Sequence, residues 1–496
     1  MSILSSLNQS FTSITADSRK VQTGSLFLAY PGAHNDGRQH IAQAIQAGAA
    51  AVVWEQEGFA WNDGWNSAEN SNSQVANLAV QDLKQQAGII AAEFYQNPSS
   101  QLTMIGVTGT NGKTSVSQWI AQCLSLLGKK TAVLGTIGNG FLDAQTEAAN
   151  TTPDAILLQA MLADYVEQQA DAVAMEVSSH GLDQGRVNGV KFDVAVLTNL
   201  SRDHLDYHQT MEAYAAAKQK LFAWEGLSTA VVNADDVFGQ SLASTLKAQA
   251  KSYLTYGLTS ADVQGSELKL HDAGLTMQVD TPQGNALLSA PVLGRFNAYN
   301  VLAVLATLLA LKISLSDALE AIAKIKPVLG RMQQFGGGEL PLVVIDYAHT
   351  PDALEKVLST LKEQIDLAEK PAKLICVFGC GGDRDAGKRQ LMGKIASKLA
   401  DQVYVTSDNP RSENPATIIA AVVSEMKAGY VIDSDRANAI HAAIFGANAA
   451  DIVLVAGKGH ENYQEILGVK QPFDDALIAQ AALKQYQAKS RNGAAI

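Results

Sequence analysis

Residues 106–115 read "GVTGTNGKTS" and have the makings of a phosphate cradle. They follow the apolar run "LTMI" and precede the helical segment "SVSQWIAQCLSLL". Glycines let a backbone turn tightly and aim several N–H groups at one point, and a helix N-terminus adds partial positive charge. Gly109, Thr110, Asn111 and Gly112 would form the turn. Lys113 would add a full charge, and the Thr114 hydroxyl would be free for magnesium. The spacing departs from the standard phosphate loop. Val107 stands where the first glycine is expected, and Gly109 gives a shorter G-x-x-G-K-T. The flanking strand and helix favour nucleotide binding over a bare glycine-rich turn. The loop alone does not separate a kinase, a motor, a synthetase and a switch.

Further clusters narrow the chemistry. Glu176 ends the strand-like "DAVAMEV" and precedes "SSHGLDQGR", which suits either a magnesium ligand between phosphates or a helix cap. "TNLSRDHLDYH", residues 198–208, sets His204 and His208 four apart. The H-E-x-x-H pattern of zinc enzymes is missing, so the expectation is one histidine near a phosphate-bound metal and one exposed. "AYAAAKQKLF" carries Lys218 on a helix, where a solvated lysine is the default reading.

These groups need scaffolds to hold them. A chain of 496 residues exceeds one hydrophobic core, so two to four domains are expected. "SLFLAY" and "AAAVVWEQ" read as strands around a helical "RQHIAQAIQAGA", then a polar loop, "NDGWNSAENSNSQ", and a helix from Val80 to Tyr95. "NPSSQ" reads as a linker. From Leu102 short apolar strands alternate with helices, which favours a mainly parallel sheet. Residues 267–289 read as antiparallel strands turning at Gln283-Gly284, and "NAYNVLAVLATLLAL" as a buried helix. A second strand series, from "LVVIDY" to "DIVLVAG", reads as a separate doubly wound domain. Its polar clusters, "DYAHTPDAL", "GCGGDRDAGKR", "SDNPRSENP" and "GKGHENYQ", fall at carboxyl ends of strands, where such sheets bind ligands.

Composition excludes some partners. With 37 basic against 49 acidic residues, the net charge of −12 argues against nucleic acid. The longest apolar run, "VLAVLATLLALKI", is shorter than the roughly 18 residues of a membrane span. No signal peptide is visible at the start. The three cysteines, Cys123, Cys376 and Cys380, lack framework or zinc spacing, which suggests a reducing compartment; cytoplasmic location is expected.

Taken in order, "GVTGTNGKTS", "NTTPDA", "MEVSSHGLDQGRV", "TNLSRDHLDYH", "AKQKLF", "GRFNAYN", "GRMQQF", "DYAHTPDAL", "GGDRD", "SDNPRSENP" and "GKGHE" closely resemble the Mur ligases of peptidoglycan synthesis. The resemblance runs from about Asp17 to Gln464. "GTNGKT" is shared across the superfamily, whereas "MEVSSHGL" with "DYAHTPDAL" is more specific. It implies an α/β fold of three domains: a small UDP-binding domain over residues 1–97, a central parallel-sheet, P-loop-like ATPase domain over 98–332, and a Rossmann-like amino-acid domain over 333–496. It also implies the reaction of the branch that adds meso-diaminopimelate to UDP-N-acetylmuramoyl-L-Ala-D-Glu. ATP would activate the D-Glu side-chain carboxylate as an acyl phosphate, which the incoming amine attacks.

Site roles carried by the resemblance are these. Lys113 meets the β- and γ-phosphates; Thr114 and Glu176 share one magnesium; His204 and a carbamylated Lys218 serve a second. Asn297, Asn300 and Arg331 contact the nucleotide, and Asp346 holds its ribose. Ser18, His34 and Asn35 match uridine-site positions. Asn150, Thr151, Thr152, Ser178, Gln184 and Arg186 match the sugar and peptide, although "NTTPDA" alone would also make a helix start. Arg384, Asp408, Asn409, Pro410, Arg411, Gly457 and Glu461 surround the amino acid. Diaminopimelate differs from lysine by a distal carboxylate, which calls for a forked cation such as Arg411; Glu461 could pair with the distal ammonium. Asn414, where many relatives carry Asp, is expected to shape a turn. A monomer is expected. The alternatives are the same reaction with L-lysine, a non-catalytic nucleotide-binding module, and a phosphotransferase.

Overall fold

The structure, a computed structural model, describes residues 2–32, 35–66, 75–148, 150–271, 274–367, 371–427 and 429–493. Three sheets organise the chain. The first has four parallel strands, Ser13–Thr15, Ser25–Ala29, Ala51–Glu55 and Ala76–Val80, in sequence order. Residues 25–29 and 51–55 are wholly buried, as continuous apolar strands covered on both faces should be. The helix expected from Val80 starts later, at Leu83–Phe94, because Val80 pairs with Glu55 and closes the sheet. The expected "NPSSQ" linker folds as a short 3-10 turn, Pro98–Gln101. In the polar loop, Asp63–Asn66 forms another such turn, and residues 67–74 lie outside the described residues.

The second sheet has ten strands. Its parallel centre places Thr103–Thr108 between Val194–Leu197 and Ala172–Glu176. Val263–His271, Gly274–Thr281 and Gly284–Ala290 continue one side, the last two antiparallel, with the expected turn one residue earlier, at Pro282-Gln283, because Gly284 already pairs with Thr281. Helix Arg295–Ala310 is buried on nearly every face, from Asn297 to Leu309, and packs in the same core as helix Lys113–Leu126. Each fully buried Leu or Val there contributes about 1.5–3 kcal/mol of transfer free energy, enough in sum to fix the helix that carries Asn297 and Asn300.

A third sheet orders Gln333–Gly336, Leu342–Asp346, Ile452–Ala456, Leu374–Phe378, Gln402–Val405 and Tyr430–Ile432, parallel except for its first strand. A hairpin, Tyr463–Ile466 with Val469–Pro472, stands apart from it. Among the described residues no helix is long and apolar enough to cross a membrane.

Topology explains how distant motifs meet. Gly109 to Gly112 follow the carboxyl end of the central strand, Glu176 is the last residue of one neighbour, and "TNLSRDH" follows the other. Parallel neighbours therefore deliver three loops to one sheet edge.

Candidate active site

The loop is shaped before any ligand arrives. Gly112 caps helix Lys113–Leu126 at φ 87°, a conformation glycine tolerates. A Cβ there would come within 2.5 Å of Asn300 Oδ1. Asn300 Nδ2 in turn donates to Asn297 Oδ1 at 2.8 Å, and Asn297 Nδ2 to the Leu293 carbonyl at 2.8 Å. The loop is thus seated on the buried helix. From its other side, Thr198 Oγ1 donates to the Asn111 carbonyl at 2.6 Å, and Thr110 Oγ1 contacts Tyr214 OH at 3.2 Å.

Two lysines converge on one carbonyl. Lys113 Nζ donates to Gly109 O and Thr110 O, both at 2.9 Å, and Lys218 Nζ donates to Gly109 O at 2.8 Å. Lys218 is 1% exposed, so the solvated reading is corrected: the helix Met211–Gln219 turns it inward beside the Tyr214 ring. Burial draws both amines below the ordinary lysine range. For Lys113, Glu176 and Asp203 oppose the shift; for Lys218, the charge of Lys113 deepens it.

Opposite the lysines, Thr114 Oγ1 donates to Glu176 Oε2 at 3.0 Å and accepts from Arg331 Nη2 at 3.2 Å. Glu176 also accepts from Thr136 N at 2.8 Å and Thr136 Oγ1 at 3.1 Å, and it caps no helix in these contacts. The Thr114 hydroxyl is therefore already engaged, contrary to the expectation of a free one. A hydroxyl and a carboxylate side by side are the hard oxygen donors that suit magnesium. No group of three or more His, Cys, Asp and Glu gathers in metal-binding geometry among the described residues, and magnesium is commonly completed by phosphate oxygens and water.

His204, at φ 54°, precedes the helix Leu205–His208, and its Nε2 lies 3.4 Å from Asp203 Oδ2. Burial lowers its pKa, with Asp203 opposing. His208 is 8% exposed and meets Ser179 Oγ at 3.0 Å, so the expectation that one histidine of the pair is exposed is corrected: it locks the "EVSSHG" turn from beneath.

A cavity of about 880 Å³ joins these groups. Lining it are Thr110, Asn111, Gly112, Lys113, Thr114, Glu176, His204, Lys218, Asn297, Asn300, Arg331 and Asp346, together with Asn150, Thr151, Thr152, Ser178 and Arg186. Asp346 accepts from Met332 N and Ala348 N, both at 2.8 Å, yet burial still raises its pKa. Arg331 lies over the Tyr347 ring at 4.5 Å. Arg186 donates to Gln184 Oε1 at 2.7 and 2.9 Å and to the Thr152 carbonyl at 2.9 Å. Thr152 Oγ1 bonds Ser178 Oγ at 3.0 Å, and Thr151 Oγ1 bonds Thr136 Oγ1 at 3.1 Å. Asp154, not a threonine, caps the following helix.

Other expected residues lie in two separate places. Ser18 Oγ donates to Gln43 Oε1 at 3.1 Å in the first sheet's domain, and Asn35 is exposed there; His34 lies outside the described residues. The amino-acid candidates cluster on the third sheet. Asn409 Nδ2 donates to Glu461 Oε2 at 2.8 Å, Arg411 Nη1 donates to the Gly382 carbonyl at 2.7 Å, and Gly457 lies against Asp408. Arg411 Nε is 3.4 Å from Glu465, while Arg384 is exposed and bonds the Asp383 carbonyl at 3.2 Å. Pro410 is buried between Asn409 and Arg411. Asn414 caps helix Pro415–Val423 through Ala416 N.

Sequence reasoning missed Lys458. It is fully buried, and its Nζ donates to Asn409 Oδ1 at 2.9 Å and Glu461 Oε2 at 3.1 Å, 3.6 Å from Asp408. Its signal was its place inside "GKGHE", next to Gly457. Asp352 was missed as well: its carboxylate accepts from Asn111 Nδ2 at 2.8 Å and Ser201 Oγ at 3.2 Å, tying the loop to helix Pro351–Leu367.

A phosphate loop at the carboxyl edge of one parallel sheet, facing a second doubly wound unit across a polar cavity, defines a nucleotide-using enzyme of several domains, and the chain belongs to the Mur ligase family. Residues 10–95 match the catalytic domain of the Mur ligase family, 107–308 the Mur ligase middle domain and 330–459 the Mur ligase glutamate ligase domain. It is 52% identical, over 97% of this chain and 96% of the relative, to UDP-N-acetylmuramoyl-L-alanyl-D-glutamate–2,6-diaminopimelate ligase of Chromobacterium violaceum. Identity to the protein of that name from Pseudomonas aeruginosa is 51%, over 96% and 95% of the two chains. A solved structure of a UDP-N-acetylmuramoyl-L-alanyl-D-glutamate–2,6-diaminopimelate ligase matches with a TM-score of 0.70 at 40% identity, covering 97% of this chain and 96% of that one.

Proposed function

We propose that this chain is an ATP-dependent ligase that joins meso-diaminopimelate to the D-Glu side-chain carboxylate of UDP-N-acetylmuramoyl-L-Ala-D-Glu. The observation that carries this reading is the 880 Å³ cavity, in which cations and oxygen donors of the central domain, Arg331 among them, face Asp346 and His349 of the third. Domain seams at 97/98 and 332/333 belong to the same proposal, as does a monomeric enzyme. A cytoplasmic setting suits three buried cysteines left as free thiols.

A carboxylate is a poor electrophile. Transfer of the γ-phosphoryl group of ATP to a D-Glu oxygen releases ADP and leaves an acyl phosphate with a good leaving group. The neutral amine of diaminopimelate then attacks the carbonyl carbon. The tetrahedral intermediate loses phosphate, and the nitrogen loses a proton. Catalysis of this kind is positioning and charge neutralisation. Lys113 supplies a cation to the β- and γ-phosphates, with loop N–H groups from Gly109 to Gly112 beside it. Asn297, Asn300 and Arg331 receive the nucleotide, and Asp346 its ribose. Thr151, Thr152, Ser178 and Arg186 line the wall that would hold the acceptor.

Magnesium, when bound, would neutralise charge on the transferred group; Thr114 Oγ1 and Glu176 are its fitting donors, with His204 at a second ion. Lys218 is a buried amine held well below the usual lysine range, and a neutral amine can add carbon dioxide, lose a proton and become a carbamate. That supports its reading as an anionic partner of the second ion. In the third domain, Arg411 presents the forked donor for a distal carboxylate, and Asn409, Glu461, Gly457 and Arg384 surround it.

An amino-acid panel tests the assignment. Product mass after incubation with ATP, the UDP-dipeptide and either meso-diaminopimelate, L-lysine or L-ornithine should show one new amide, with meso-diaminopimelate. Efficient use of lysine instead would move the chain to a sister specificity.

A further inference from the structure

One buried ion pair takes no part in the chemistry above. Arg436 is the first residue of helix Arg436–Gly446, and Asp475 the first of helix Asp475–Gly493. They are 1% and 0% exposed. Arg436 Nε donates to Asp475 Oδ1 at 2.8 Å and Nη2 to Oδ2 at 2.7 Å, a two-point fork. The same guanidinium donates from Nη2 to the Ala456 carbonyl at 3.0 Å and from Nη1 to the Ser407 carbonyl at 3.4 Å.

Neither helix needs this cation. A positive charge at a helix N-terminus opposes the macrodipole. A buried ion pair also carries a desolvation cost that apolar side chains of the same volume avoid. What the planar group does, and an apolar pair would not, is hold the carbonyl that ends one strand and a carbonyl two residues beyond another strand, Gln402–Val405, at a set separation. Ala456 ends its strand and is followed by Gly457; Ser407 is followed by Asp408. These are the roots of the two loops assigned above to the amino acid. At their tips the loops are linked again, Asn409 of one bonding both Lys458 and Glu461 of the other.

We propose that Arg436 and Asp475 are a positioning pair for the amino-acid substrate: they fix the spacing of the Asp408–Arg411 and Gly457–Glu461 loops without touching it. This rests on the reading that those loops bind meso-diaminopimelate. Lysine keeps the charge but loses the fork, so Arg436→Lys should loosen the loops while leaving the nucleotide cavity alone.

The test uses the full chain, as Arg436→Lys and as Asp475→Asn, with KM measured for each of three substrates and Tm recorded. The expected result is a KM for meso-diaminopimelate raised about tenfold or more, with KM for ATP and for the UDP-dipeptide unchanged. A folded variant with an unmoved KM for the diamino acid overturns the proposal, as does a rise of all three KM values together. Should Arg436→Lys not fold, Asp475→Asn carries the same expectation; failure of both to fold makes the pair structural only and also overturns it. Wild-type turnover that ignores meso-diaminopimelate would instead remove the reading beneath, an outcome distinct from a normal wild type with unaltered variants.

Discussion

Lys113 and Lys218 sit within hydrogen-bonding distance of the same Gly109 carbonyl, and burial lowers the pKa of each. Charging both amines so close is costly, so Lys218, the more deeply shifted, yields its charge and Lys113 is the cation left to meet an incoming polyphosphate. Lys113→Ala should therefore lower kcat by roughly 10²–10³, the scale of losing one preorganised donor to a developing charge, with little change in Tm. Near-normal turnover measured by ADP release would contradict the role. Lys113 was legible in the sequence because loop, strand and helix are contiguous. Lys218 was not, except through the family resemblance: its burial depends on packing against Tyr214 and the loop 109 residues away, which no local pattern records. His208 failed for the same reason, since its partner Ser179 comes from another strand's loop.

At the scale of elements, the phosphate loop and the buried helix Arg295–Ala310 act as one unit. Gly112→Ala meets two obstacles, the positive φ and Asn300 Oδ1. It should cost about 1–3 kcal/mol of stability and weaken nucleotide binding. Adding Asn300→Ala should relieve the contact but not the backbone, recovering part of the Tm loss. Full tolerance of Gly112→Ala, seen as unchanged Tm and ATP affinity, would show that the loop is not held as described. The parallel strands were readable as short apolar runs because both faces are covered. The strand Ala76–Val80 was not: its alternating, half-exposed residues carry no apolar run, and its last residue, Val80, was read as the start of a helix. The hairpin at Tyr463 was missed too, since its residues are exposed or half-buried and carry no apolar run.

Across the whole molecule, Asp352 of the third sheet's domain accepts from Asn111 and Ser201 of the central one, joining the two domains around the cavity. His460 belongs to this seam. Burial, reinforced by Arg331, pushes it down to about 4. An unfolded histidine titrates near 6.5, so between about 6.5 and 4 the unfolded chain takes up a proton that the folded chain refuses. The stability held by the neutral ring is present above that window and declines as pH falls through it. Urea unfolding across this range should show a shallower decline for His460→Gln than for the wild type; equal slopes would exclude this group as a source.

The central claim is that nucleotide, UDP-linked acceptor and amino acid react only when gathered at this seam. It is tested most directly by ADP release with each reactant omitted in turn. Sustained turnover is predicted only when ATP, UDP-N-acetylmuramoyl-L-Ala-D-Glu and meso-diaminopimelate are all present. Undiminished ADP release without the UDP-dipeptide would contradict the account.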